Sequence, residues 1–168
     1  PKVILGDHNI DTNLKDIFPV GSGITKPSIL EFDNNSRFLW KEEGNRNTLD
    51  NISNEYIAYL LDKHLGFERC PSISIVKEGD TYSVLSKFVE GSAPVENASR
   101  IHTIPDDELK ELLLFDLIIQ NQDRHIGNIL INKDGKVLLI DHSIIFGNDI
   151  SSVFEQELRL DESELWFG

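Results

Sequence analysis

The sequence predicts an α+β chain of two lobes around a cleft: an antiparallel sheet with one helix, then a reduced helical lobe containing a β-hairpin. Three observations predict it. The first half alternates short β-like apolar runs with turn signals and holds one segment of helical periodicity. Glu90-Gly91-Ser92-Ala93-Pro94 then breaks the pattern, and a polar stretch runs to Ile104. Beyond it, an apolar helix leads into two short apolar runs around Lys133-Asp134-Gly135. The break sets the lobes at residues 1–91 and 92–168, and 168 residues with 39% apolar content suffice for two small lobes.

Residues 1–20 read as an edge strand and lead-in. Two β-like runs, Ile29 to Phe32 and Arg37 to Lys41, flank the turn Asp33-Asn34-Asn35-Ser36. Alternation puts Phe38 and Trp40 on the face opposite Lys41. Ahead of them lies Gly21-Ser22-Gly23, an ordinary turn or a loop whose N–H groups approach a phosphate. Ile52, Tyr56, Tyr59 and Leu60 have helical spacing, with Asp50 or Ser53 as the cap and Gly66 as the stop. Glu55 falls between the apolar positions, which marks it as a boundary glutamate or as the buried partner of a cation, for which Lys41 is the candidate. Taken alone, Lys41 reads as a solvated lysine. Residues 70–76 and 82–89 form two further strands around Glu78-Gly79-Asp80. The helix from Pro105 begins with Asp106, Asp107 and Glu108, favourable at its N-terminal dipole, and its apolar body predicts a buried central helix. The tail from Ser151 reads as partly helical with a solvated acidic face.

A net charge of −13 argues against a nucleic-acid partner, and a polyanionic ligand would need metal ions or focused cations. One cysteine, Cys70, excludes an internal disulfide and fits a reducing compartment. No apolar run reaches membrane-spanning length and no signal-peptide pattern opens the chain, so a soluble, intracellular protein is expected. The chain opens at Pro1 and contains no methionine, which reads as a fragment or a processed form. The five histidines show no zinc-ligand spacing, and no nucleophile elbow is present.

The chemistry concentrates in Asn121-Gln122-Asp123-Arg124-His125-Ile126-Gly127-Asn128 and in Asp141 at the far end of the hairpin. Phosphoryl transfer needs metal ligands, a cation on the phosphates and a group that orients the attacking hydroxyl. Asp123 and Asn128 have the Asp-x-x-x-x-Asn spacing of a kinase catalytic loop, the first orienting the hydroxyl and the second binding Mg²⁺. Asp141 would bridge Mg²⁺ to the phosphates, and Lys41, held by Glu55, would hold phosphate oxygens. Gly21, Ser22 and Gly23 would cover the nucleotide, while Phe88, Val89 and Glu90 would offer backbone groups to adenine.

With Asn121-x-Asp123-Arg124-His125-x-Gly127-Asn128-Ile129-Leu130 and Ile140-Asp141, the chain resembles the HipA-like and phosphatidylinositol 3/4-kinase-like branch of the protein-kinase superfamily. Gly21-Ser22-Gly23 with Lys26-Pro27, Lys41, Asn54-Glu55 and Val89-Glu90-Gly91 support the resemblance. It implies a two-lobed protein-kinase-like fold and an ATP- and Mg²⁺-dependent kinase acting on Ser or Thr of a protein. The alternatives are a lipid or small-molecule kinase, or a nucleotide-binding pseudokinase working through a partner. A toxin or effector setting follows from the resemblance, with an antitoxin-like partner and a location in the cytoplasm or, after secretion, in a host cell. It also implies that Ser22 autophosphorylation silences the enzyme and that Arg124 pairs with a local carboxylate. His142-Ser143 replaces the Phe-Gly that follows the metal aspartate in ordinary protein kinases.

Overall fold

The structure, a computed structural model, describes residues 2–6, 13–20, 27–44, 49–95 and 103–146. Gly21, Ser22, Gly23, Lys26 and the tail from Ser151 lie outside the described residues.

Six strands form one antiparallel sheet: β1 (Lys2–Gly6), β2 (Leu14–Pro19), β3 (Ser28–Phe32), β4 (Arg37–Glu42), β5 (Ile73–Glu78) and β6 (Thr81–Lys87), in the order β1-β5-β6-β4-β3-β2. Residues 1–20 thus supply two strands at opposite edges, where the sequence pattern predicts one edge strand and a lead-in. The β3–β4 turn closes with Asn35 at φ 61°, and the β5–β6 turn with Gly79 at φ 62°. Both are left-handed conformations that Gly and Asn adopt at low cost.

Strand alternation divides the sheet into two faces. Phe38 and Trp40 pack with Leu30, Phe32, Val76 and Leu85 on one side, and Phe32 meets Phe38 edge to face at 5.7 Å. The other face carries Leu39 and Lys41 on β4 opposite Ser86 and Val84 on β6. Helix α1 (Leu49–Leu65) covers part of this face through Ile52 and Tyr59, which pack on Ile73 and Val84. Each such buried side chain contributes about 1.5–3 kcal/mol.

Helix α1 begins earlier than the capping pattern suggests. Asp50 and Ser53 lie inside it, with Asp50 in its first turn, so neither is the cap. Leu60 is exposed; Ala58 and Asp62 are buried in its place, because the helix turns a face built on positions 55, 58, 59 and 62 inward. Gly66, at φ 79°, ends the helix as the sequence indicates.

A second, three-stranded sheet joins β7 (Ala93–Pro94), β8 (Ile129–Ile131) and β9 (Val137–Leu139). The β8–β9 turn is fixed by Asn132, whose Oδ1 accepts from the N–H groups of Asp134 and Lys136, each at 2.9 Å, and by Gly135 at φ 81°. Helix α2 (Asp106–Ile119) packs Leu109, Leu112, Phe115 and Ile119 against Ile129, Val137 and Leu139. Its opposite face leaves Leu114, Leu117 and Ile118 exposed among the described residues, so α2 is buried on one face and not all round.

A polar strap joins α1 to this sheet. Asp62, 1% exposed, accepts from the N–H groups of Arg69 and Cys70; the Arg69 carbonyl accepts from Leu139; and the Arg69 guanidinium reaches Glu108 and Glu111 on α2.

Candidate active site

The site is built outward from Asp116, a buried carboxylate on the inner face of α2. Arg124 meets it with two parallel hydrogen bonds, Nε to Oδ2 at 2.8 Å and Nη2 to Oδ1 at 3.0 Å. Its remaining nitrogen, Nη1, donates to the carbonyls of Asn128 and Ile140, each at 2.9 Å. One side chain therefore ties the helix to both ends of the hairpin, just before β8 and just after β9, next to Asp141. The planar guanidinium suits this forked geometry, which a lysine does not reproduce. The expected carboxylate partner of Arg124 is Asp116.

Asn121 extends the network. Its Nδ2 donates to Asp116 Oδ1 at 3.1 Å and its Oδ1 accepts from the Asp123 N–H at 2.9 Å. Gln120, at φ 51°, ends α2 in the left-handed conformation that turns the chain into this loop. Asn128 is buried and spends its Nδ2 on the Asp123 carbonyl at 3.1 Å, which leaves the amide oxygen as the end available to a metal. His125 accepts the Gly127 N–H on Nδ1, and a Cβ at Gly127 would stand 2.9 Å from the His125 ring. Asp123 itself is exposed, its backbone fixed and its carboxylate open to solvent.

Across the cleft, Lys41 Nζ donates to Glu55 Oε1 at 2.7 Å and to Asp141 Oδ1 at 3.2 Å. Lys41 and Glu55 are both buried, so Glu55 is the partner of a cation and not a boundary residue. Burial alone would push the Lys41 ammonium down, but the Glu55 and Asp141 carboxylates outweigh it and hold the group above its usual range. Burial would likewise raise the Asp141 carboxyl; the Lys41 cation and the Ser143 hydroxyl outweigh it and hold it below its usual value. Both groups are thus ionised at neutral pH. The other Glu55 oxygen accepts the His142 N–H at 3.2 Å.

A cavity of about 280 Å³ opens above these groups. Leu39, Ile73 and Val84 wall it from the large sheet, Val20 and Pro27 from the chain next to β2 and β3, Leu139 and Ile140 from the hairpin, and Lys41, Glu55 and Asp141 supply its polar end. An apolar slot with a charged end suits a flat heterocycle carrying phosphates.

Lys41, Glu55 and Asp141 are brought together in this cavity. Asp123 and Asn128 are tied to Asp141 through the Arg124 network but do not line it. Phe88, Val89 and Glu90 do not line it either: the Phe88 N–H is donated to the Arg37 carbonyl at 3.0 Å, the Val89 carbonyl accepts from Ser92, and the Glu90 carboxylate faces Arg37 at 3.4 Å. Sequence reasoning passed over Asp116 and Asp62, both acidic residues on the inner side of a helix. The position that singled out Glu55 would have marked them too.

This combination of fold and site defines a protein-kinase-like chain. A solved structure, that of the Helicobacter pylori proinflammatory kinase CtkA, superposes with a TM-score of 0.61 at 17% identity, covering 88% of this chain and 63% of that one. The model of the family described as phosphatidylinositol 3- and 4-kinase matches residues 16–155, and the chain belongs to that family. It is 30% identical over 90 residues to phosphatidylinositol 4-kinase gamma 3 of Arabidopsis thaliana, and 29% identical over 107 residues to phosphatidylinositol 4-kinase gamma 4 of Oryza sativa subsp. japonica. These alignments take in 51% and 52% of this chain but only 16% and 19% of those proteins.

Proposed function

We propose that this chain is the nucleotide-binding and catalytic part of an ATP- and Mg²⁺-dependent phosphotransferase, with a lobe of residues 1–91 over a lobe of residues 92–168. The observation that carries the reading is the contact of Lys41 with both Glu55 and Asp141 at the polar end of the cavity. Asp141 and the Asn128 amide offer the hard oxygen donors Mg²⁺ prefers, and one or two protein ligands suffice where substrate phosphates complete the shell. Bound Mg·ATP supplies the transferable phosphoryl group. Lys41 neutralises phosphate oxygens, Glu55 keeps Lys41 extended, and Asp123 orients the acceptor hydroxyl and takes its proton.

The acceptor we favour is a Ser or Thr hydroxyl on a protein, as the resemblance to HipA-like kinases implies. Physical support comes from charge: the chain carries −13, and the Arg124 guanidinium is already committed to Asp116 and two carbonyls. The family match and the curated relatives favour a second reading, an inositol-lipid acceptor. Labelled ATP is added to the protein with either a cell lysate or phosphatidylinositol vesicles, and Asp123→Asn serves as the control. Label on protein hydroxyls that disappears in Asp123→Asn supports the first reading. Label on the lipid overturns it in favour of the second, and Mg·ATP binding with no transfer to either marks a pseudokinase.

A further inference from the structure

Helix α1 does more than present Glu55. Asn51 and Asn54 lie on the same face one turn apart, and the Nδ2 atoms of both donate to one oxygen, the Ser143 carbonyl, at 3.1 and 2.9 Å. A carbonyl has two lone pairs and can accept both. One residue earlier, the His142 N–H donates to Glu55 Oε2. Three side chains of α1 thus hold two successive backbone groups just after Asp141. Asn54 sits in the helix interior, where asparagine is unfavourable because its side chain competes for backbone groups that the helix itself uses.

What they hold adjoins a left-handed backbone. Asp141 has φ 58°, a left-handed geometry that side chains other than Gly, Asn and Asp seldom adopt. The Ser143 hydroxyl donates back to Asp141 Oδ1 at 3.0 Å, the oxygen that also accepts from Lys41. Behind them, the His142 ring is 1% exposed and stands edge-on to Phe115 at 6.0 Å.

We propose that Asn51 and Asn54 are positioning residues that grip the chain at Ser143 and set the Asp141 carboxylate for its metal, coupling the seating of α1 to metal-dependent nucleotide binding. The proposal rests on the phosphotransferase reading for its metal and on geometry alone for the grip.

The test compares wild type, Asn51→Ala/Asn54→Ala and Asn54→Asp, whose carboxylate opposes the Ser143 carbonyl. Backbone hydrogen exchange is measured on the ligand-free protein, and ATP affinity is measured in EDTA and in Mg²⁺. Losing two hydrogen bonds should speed exchange across residues 142–146 about tenfold, with the large sheet as protected as in wild type. ATP affinity in EDTA should stay within about twofold of wild type, while the gain from Mg²⁺ falls about tenfold. Unchanged exchange at 142–146, equal acceleration throughout the chain, or an undiminished Mg²⁺ gain would overturn the proposal. If wild type gains nothing from Mg²⁺, the phosphotransferase reading fails and the metal role falls with it; the exchange result then decides the grip alone.

Discussion

Asp123→Asn should lower phosphoryl transfer by about 10²–10⁴-fold, the usual contribution of a positioned general base, and leave Mg·ATP affinity close to wild type. The separation follows from placement. Asp123 does not line the cavity, and its backbone is held by Asn121 and Asn128 whatever its side chain, so an isosteric amide removes a proton acceptor without disturbing the loop. Asp141→Asn should behave differently. It removes a charge from the polar end of the cavity, and with it one of the two carboxylates that offset the Lys41 cation, so the loss should appear first in metal-dependent nucleotide binding. Single-turnover transfer combined with equilibrium binding separates the two variants. A loss of nucleotide affinity in Asp123→Asn as large as the loss of transfer would refute its assignment as the base.

Lys41→Met should destabilise the fold by about 3–5 kcal/mol, the cost of leaving a buried partner charge uncompensated. That is a large part of the 5–15 kcal/mol typical of a domain. Glu55 bears the penalty, since Lys41 and Glu55 side chains are only 10% and 7% exposed while Asp141, at 34%, keeps access to water. Adding Glu55→Gln removes the stranded charge and retains an oxygen to accept the His142 N–H. Urea titration should therefore find the double variant more stable than Lys41→Met alone. Equal stability of the two would show that Glu55 is solvated well enough to stand unpaired, contrary to its burial.

Much of this site was legible in the sequence because its chemistry is local. Asp123 and Asn128 share one loop, the Asp-Gly turn announces the hairpin that brings Asn128 beside Asp141, and the position of Glu55 among apolar helix residues marks it as a boundary glutamate or a cation's partner. The sheet was legible for the same reason: alternation on β4 separates Phe38 and Trp40 from Leu39 and Lys41. The rest depends on contacts distant in sequence. Nothing near Asn51 or Asn54 reveals that both reach Ser143, about ninety residues on. The apolar body of α2 reads as buried all round because the pattern reports composition, whereas exposure depends on what packs against Leu114, Leu117 and Ile118. At the strand end read as an adenine contact, the Phe88 N–H goes to Arg37 on β4, a pairing across the sheet that the local pattern does not reveal.

The central claim is that the Lys41–Glu55–Asp141 cavity holds a metal-bound nucleotide, and equilibrium unfolding with and without ATP tests it most directly. Mg·ATP at about 100 times its dissociation constant should add about 2.7 kcal/mol to wild type. The gain should shrink when EDTA replaces Mg²⁺ and again in Asp141→Asn. No stabilisation of the wild-type chain at any concentration of ATP and Mg²⁺ would contradict the account.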